Sequence, residues 1–327
     1  MEKTRQDPSI STKPFPFKDL PAIIWLFSES DIPTFVLPNS AFGLLGALAG
    51  PALADGSIFP SAIDLIFYRL PLVILFNWAV VFIFQLANQR SPEAIQEDRL
   101  NKPWRPLPTG RISAEQTRRL LLVAIPAVLA LTYGLRVWQE SALIMILAWM
   151  YNDLKGGDEL SRDLVIAIAY GLFNASSLRI ALGSSADLNP AAARISRRGY
   201  LWITMISGVI LTTMSIQDLK DMAGDRSRGR LTIPLLVGPT RSRWLIAVLV
   251  LCWGPVCVFF WDLPLRCYIA PCAMAVGVAA SVVWLRDIRS DAAAWRLWCA
   301  WLVVLYLLPW VATSGVGAPV YKDPPCT

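Results

Sequence analysis

Polar and apolar positions fall into long blocks along this chain, with no sustained alternation of period two. Runs of about 20 mostly apolar residues, the length a helix needs to cross the hydrocarbon core of a bilayer, recur throughout. They predict nine spanning helices at about 33–54, 62–88, 114–134, 139–153, 162–183, 199–219, 242–262, 266–286 and 293–312. The fourth run is short, and the first contains Pro38 and Pro51. Ahead of them, Pro16–Ser28 predicts a helix lying along the membrane surface, within a polar N-terminal segment covering residues 1–30. The helical body then covers 31–313, and the Gly- and Pro-rich tail, 314–327, is expected to be disordered. The fold class is all-α: a polytopic membrane helical bundle.

Loop charge orients the bundle. Arg90, Arg99, Lys102, Arg105, Arg111, Arg118 and Arg119 lie between the second and third runs. Lys220, Arg226, Arg228, Arg230, Arg241 and Arg243 lie between the sixth and seventh, whereas the seventh and eighth are joined with only Arg266. The basic loops follow even-numbered helices and share one face, which the positive-inside rule makes cytoplasmic. An endoplasmic reticulum or other endomembrane location is expected. No apolar leader precedes the first run.

Composition agrees. Of 327 residues, 55% are hydrophobic and 17% charged, against about 25% charged in an ordinary soluble domain. The net charge of +6 marks membrane loops rather than a nucleic-acid surface, and nothing implies an obligate protein partner. There is no histidine, which excludes His-ligated metals and Ser-His or Cys-His nucleophiles. The six cysteines form no CxxC pair and read as small packing residues.

Two acidic clusters stand out. Asp218, Asp221 and Asp225 would share one face of a continuous helix, at the C-terminal end of the sixth run. There the helix dipole and their mutual repulsion both oppose them. A hard dication held by carboxylates and completed by phosphate oxygens offsets that charge, and Mg²⁺ prefers such surroundings. The other cluster surrounds Ser91-Pro92, where an N-cap and first-turn proline predict a break and a restarted helix. Asn88, Glu97 and Asp98 are the preferred ligands there, and Glu93 is left as a surface acid. Arg105-Pro106-Leu107-Pro108 after this cluster is echoed by Thr232-Ile233-Pro234 after the other, which suggests two related halves with a site between them. Tyr151-Asn152-Asp153 ends the fourth run on the same face.

At these residues the chain resembles the UbiA superfamily of intramembrane prenyltransferases. Asp218-x-x-Asp221-x-x-x-Asp225 with Gly229, Thr232 and Pro234 is similar to the family's second Asp-rich motif. Asp98-x-x-Asn101-x-Pro103-x-Arg105-Pro106-x-Pro108-x-Gly110 is similar to the end of its first. The earlier part differs, since Arg90, Ser91 and Ala94 stand where the usual motif has Asn, Asp and Asp. With Tyr151-Asn152-Asp153 after the fourth run and Asn101-Lys102-Pro103-Trp104-Arg105-Pro106 after the second, the chain looks like the fungal branch, which includes membrane-bound sesquiterpene cyclases acting on farnesyl diphosphate.

The resemblance implies a helical bundle around a central cavity, with an isoprenoid diphosphate as substrate and Mg²⁺ as cofactor. Asn88, Glu97, Asp98, Asp218, Asp221 and Asp225 would be metal ligands, with Asp98, Asp218 and Asp221 central to catalysis. Lys102, Arg105, Arg228, Asn152 and Asp153 would hold the diphosphate or its metal shell. Phe67, Tyr68, Phe76, Trp78, Phe82, Phe84, Tyr170 and Phe173 can wall a cavity for a carbocation. Trp295, Trp298, Trp301 and Trp310 are expected at the membrane interface. Three readings stay open: a class I terpene cyclase, a prenyltransferase with an aromatic acceptor, and a cation transporter.

Overall fold

A computed structural model describes residues 17–183 and 192–314. The expectations for the first sixteen residues, for the tail from 315 and for Cys326 lie outside these. Each apolar run becomes a helix because a backbone in hydrocarbon must satisfy its own hydrogen bonds. The main elements are α1 (Leu20–Ser28), α2 (Ile32–Leu48), α3 (Ala62–Gln89), α4 (Pro92–Asn101), α5 (Ala114–Gly134), α6 (Trp138–Asn152) and α7 (Arg162–Leu182). They continue with α8 (Arg197–Leu219), α9 (Met222–Arg228), α10 (Ile233–Val237), α11 (Pro239–Phe260), α12 (Leu265–Trp284) and α13 (Ile288–Thr313).

Among the described residues, seven helices are long and apolar enough to cross a membrane, and α1 with α2, bent by 50° at a short break, adds an eighth if the pair is one span rather than a re-entrant loop. The expected run that does not qualify is the fourth, α6, whose 15 residues rise about 22 Å, short of the hydrocarbon thickness. The bounds largely follow the hydropathy blocks, with one correction. The first helix stops at Leu48 rather than near 54, because Gly50 takes a positive φ of 50° and Pro51 follows it. The chain then forms β1 (Ala54–Asp55), paired antiparallel with β2 (Arg194–Ile195).

Neighbouring helices close a ring. α3 packs on α5, α6 and α7; α7 on α8; α8 on α11; α11 on α12; and α12 on α13. α2 completes it by packing against α3, α7 and α13. The α2–α7 seam depends on small residues, as a Cβ on Gly43 would lie 2.6 Å from the Ser177 carbonyl oxygen. Beside it, buried Asn77 of α3 donates to Ser177 Oγ at 2.9 Å and to Ser40 Oγ at 3.2 Å, tying three helices together where no water competes.

The tryptophans of α13 correct an expectation. Trp298 and Trp301 are fully buried and Trp295 nearly so, and only Trp310 reaches the exterior. Trp298 donates to Thr213 Oγ1 at 2.9 Å and Trp301 to the Pro271 carbonyl at 3.1 Å, so both buried indoles are satisfied. Cys257 and Cys299 are buried packing residues, as expected, while Cys252 lies exposed.

α11 and α13 are joined by an interior ion pair. Arg243 donates to both Asp291 oxygens at 2.7 Å and to the Val282 carbonyl at 2.8 Å. Removing one partner of such a pair strands the other charge, at a cost of about 3–5 kcal/mol. Arg243→Met is therefore expected to lower the thermal midpoint in detergent markedly, and the double variant Arg243→Met/Asp291→Leu to recover most of it. Equal midpoints for wild type and Arg243→Met would contradict this account.

Candidate active site

The two acidic clusters meet at one end of the ring, because the long helices that carry them both break there. α3 ends at Gln89, and Ser91 Oγ accepts from the Ala94 amide at 3.1 Å to start α4 with Pro92 in its first turn, as the sequence predicted. The other break was not anticipated. α8 tightens into a 3₁₀ turn over Met214–Leu219 and α9 restarts after Asp221, so the three aspartates do not share one continuous α-helical face. Asp218 sits on the tight turn, Asp221 at the junction and Asp225 within α9. The change of direction brings all three to the wall of one cavity.

Asn101 joins the two broken ends. Its amide nitrogen donates to the Asp221 carbonyl at 3.1 Å, and its amide oxygen accepts from the Gly224 amide at 3.2 Å. Gly224 makes this approach feasible, since a Cβ there would lie 2.2 Å from the Asn101 nitrogen. Gly157 serves Tyr151 in the same way, with an added Cβ only 2.4 Å from the ring.

Nearly every acid of the site is matched to a base. Arg105 donates to both oxygens of Asp98 at 2.9 and 3.0 Å. Arg162 donates to both oxygens of Asp218 at 2.7 and 2.9 Å. Arg230 bridges Glu97 at 3.0 Å and Asp225 at 3.1 Å, while Arg228 pairs with Glu97 at 3.1 Å and with Asp158 at 2.7 Å. Lys220 pairs with its neighbour Asp221. Burial pushes the carboxyl of Asp98 up despite Arg105 and Lys102, and that of Asp225 up despite Arg230. Burial acts on Asp221 too, but Lys220, Lys102 and Arg105 together outweigh it and hold this carboxyl below the usual range. Burial also pulls the Lys102 ammonium down, and Arg105 adds to that.

Of the residues proposed from the sequence, Asn88, Glu97, Lys102, Arg105, Asp218, Asp221 and Asp225 line the cavity. The others sit behind it. Asp98 is turned to Arg105, and Arg228 to Glu97 and Asp158. Asn152 accepts from Asn88 at 2.9 Å, which orients that side chain, and Asp153 pairs with Arg90 on the rim. Glu93 is the half-exposed surface acid it was expected to be, 3.6 Å from Lys155. The sequence reading missed Arg162, Asp31 and Gln85, all lining the cavity. Arg162 opens an apolar run and Asp31 separates two, and those placements were the available signal.

The deeper wall is apolar. Phe84, Tyr170 and Phe173 line it as expected, joined by Phe35 and by Trp295. The rings of Phe35 and Tyr170 are 4.7 Å apart, as are those of Phe35 and Phe173. The other expected wall residues are elsewhere. Phe67 and Tyr68 face outward, 70% and 67% exposed, while Trp78 stacks on Phe82 at 5.7 Å, with Phe82 in a separate cluster around α1. Phe76 is buried behind Phe173.

The polar end offers oxygen donors from Asn88, Glu97, Asp218, Asp221 and Asp225. Among the described residues no three acidic side chains converge on a single point as a closed metal cage would require. One oxygen of Asp225 is buried without a partner. A hard dication that takes one or two carboxylates and completes its shell with ligand oxygens fits this donor set.

A model described as the UbiA prenyltransferase family matches residues 43–303. Fumagillin beta-trans-bergamotene synthase of Aspergillus fumigatus is 28% identical over 294 residues, spanning 88% of this chain and 91% of its own. Somaliensene A/B synthase of Streptomyces somaliensis is 32% identical over 235 residues, 68% of this chain and 67% of its own. Among solved structures, a UbiA homolog from Archaeoglobus fulgidus bound to GPP and Mg²⁺ superposes with a TM-score of 0.54 at 12% identity, covering 87% and 99% of the two chains. That last likeness is one of fold.

Gly224→Ala tests the α4–α9 joint. It removes both Asn101 hydrogen bonds, worth about 2 kcal/mol together, or about 30-fold in the local opening equilibrium. Amide exchange across 92–101 and 222–228 should quicken by about that factor, with the rest of the bundle unchanged. Unaltered exchange in both segments would refute the joint.

Proposed function

The chain belongs to the UbiA prenyltransferase family, and from that premise we propose that it is a membrane-embedded class I terpene cyclase acting on an allylic isoprenoid diphosphate, with farnesyl diphosphate as the preferred substrate. The observation that carries the reading is a single cavity with two chemistries. One end is lined by carboxylates and cations, and the other by Phe35, Phe84, Tyr170, Phe173 and Trp295. An amphiphile with a charged diphosphate head and a branched hydrocarbon tail matches such a cavity end for end. The polar end faces the cytoplasm by the loop-charge argument, where soluble diphosphates are available.

Asn88, Glu97, Asp218, Asp221 and Asp225 would hold Mg²⁺, which when bound neutralises charge developing on the departing pyrophosphate. Lys102 and Arg105, both in the wall, supply fixed positive charge to the same oxygens as the allylic carbon–oxygen bond breaks. Asp98 acts at one remove: its two oxygens both accept from Arg105 Nη1 and so set where that guanidinium points. Arg228 acts similarly, holding Glu97 from behind. The aromatic end excludes water from the cation and presents π faces to it. The 28% identity to a bergamotene synthase over most of both chains supports cyclisation without an acceptor. The family's prenyltransferase description supports the second reading, in which a bound aromatic acceptor captures the same cation. A transporter would distribute acids along a path, whereas these gather at one end of the bundle.

Membranes bearing the protein, incubated with farnesyl diphosphate and Mg²⁺ and no acceptor, should release pyrophosphate and a cyclic C15 hydrocarbon detectable by gas chromatography. Chelation with EDTA should stop both, and Asp221→Ala should reduce both by about 100-fold or more. Turnover that begins only when a phenol is added would favour the transferase. Undiminished release by Asp221→Ala would remove the proposed site.

A further inference from the structure

Arg162 belongs to neither acidic motif, yet it lines the cavity and is bonded to Asp218. Its side chain is 7% exposed at the first position of α7. Nη1 and Nη2 hold the two oxygens of Asp218 at 2.9 and 2.7 Å, Nη1 also reaches Asp163 at 2.9 Å, and Nε donates to the Tyr151 hydroxyl at 3.2 Å. We propose that Arg162 is an exchanging guanidinium: it neutralises Asp218 in the substrate-free protein and turns to a diphosphate oxygen when a dication claims that carboxylate.

The contrast with Arg243 carries the argument. Arg243 also grips a buried aspartate, but it is anchored in addition to the backbone carbonyls of Val282 and Leu285, which have nowhere else to turn. Arg162 contacts side chains alone among its hydrogen-bond partners, and it borders the cavity. With both Asp218 oxygens occupied by a guanidinium, a dication cannot bind there without repelling it. Displaced from one oxygen, Arg162 is still held by Asp163 and Tyr151. The open direction is the cavity, and an anion bound there restores its hydrogen bonds in the planar, charge-assisted geometry that guanidinium favours. Arg162 is thereby a phosphate-binding residue and a built-in competitor of the metal.

This inference rests on the diphosphate reading, so the test separates the two. Full-length protein in detergent is titrated with Mg²⁺ alone, and with inorganic pyrophosphate, by calorimetry, and thermal midpoints check folding. Arg162→Met should bind Mg²⁺ about 5-fold tighter, because Asp218 has lost its competing cation, and Mg-pyrophosphate about 10-fold weaker. Arg162→Lys should fall between. A residue that merely positioned Asp218 would weaken metal binding when removed. Asp218→Asn should bind metal-free pyrophosphate, in EDTA, about 5-fold tighter than wild type, and Arg162→Met/Asp218→Asn should lose that gain. Equal or weaker Mg²⁺ binding by folded Arg162→Met overturns the exchange. If that variant does not fold, no pyrophosphate gain in Asp218→Asn does so. Wild-type protein that binds neither Mg²⁺ nor pyrophosphate defeats the diphosphate reading and this inference together.

Discussion

The buried pairing of carboxylate with guanidinium is the interaction on which the active end of this molecule depends. Acids cannot sit at helix ends inside a membrane protein uncompensated, since desolvation of an isolated carboxylate far exceeds what packing returns. Here the compensation is supplied by Arg105 for Asp98, Arg162 for Asp218, and Arg228 with Arg230 for Glu97, Asp158 and Asp225. Several of these pairs reach between elements distant in sequence. Arg162 links the start of α7 to the end of α8, and Arg230 links the segment after α9 to α4 and to the α6–α7 loop. The same bonds that make the charges tolerable therefore assemble the site.

That assembly requires the helices to break in the right places. A continuous α8 would carry Asp225 on past the cavity with its helix axis. The 3₁₀ turn and the junction at Lys220–Asp221 redirect the chain instead, and Asn101 fastens the restarted helix to α4 across a glycine with no room for a side chain. Further from the polar end, the bundle relies on close backbone approach at Gly43 and on buried amides and hydroxyls such as Asn77, Ser40 and Ser177. Rigidity below and breaks above leave one cavity whose walls change from charged to aromatic.

Family membership rests on a match across residues 43–303, which takes in both acidic motifs and most of the chain. In the proposed function a cyclase and a transferase would begin with the same ionisation, so the polar end would serve either outcome. Under the proposed reading the fate of the cation would rest with the aromatic end, where Phe35 and Trp295 join Phe84, Tyr170 and Phe173.

Most of the architecture was legible in the one-dimensional pattern, because spanning a membrane imposes a strong and local rule: about 20 apolar residues per crossing, with the basic loops on one side. The clustering of Asp218, Asp221 and Asp225, the restart at Ser91-Pro92 and the approximate bounds of most helices all depend on near neighbours. Tertiary structure decided what depends on remote neighbours. It turned Asp98 away from the cavity and Trp295 into it, and it put Phe67 on the outer surface. It also brought Arg162 to Asp218, 56 residues away. Hydropathy reports whether a residue prefers lipid to water, but not which side of a helix faces a cavity or which cation will meet an acid. Those depend on how helices pack and where they break, and for this protein that is where the chemistry lies.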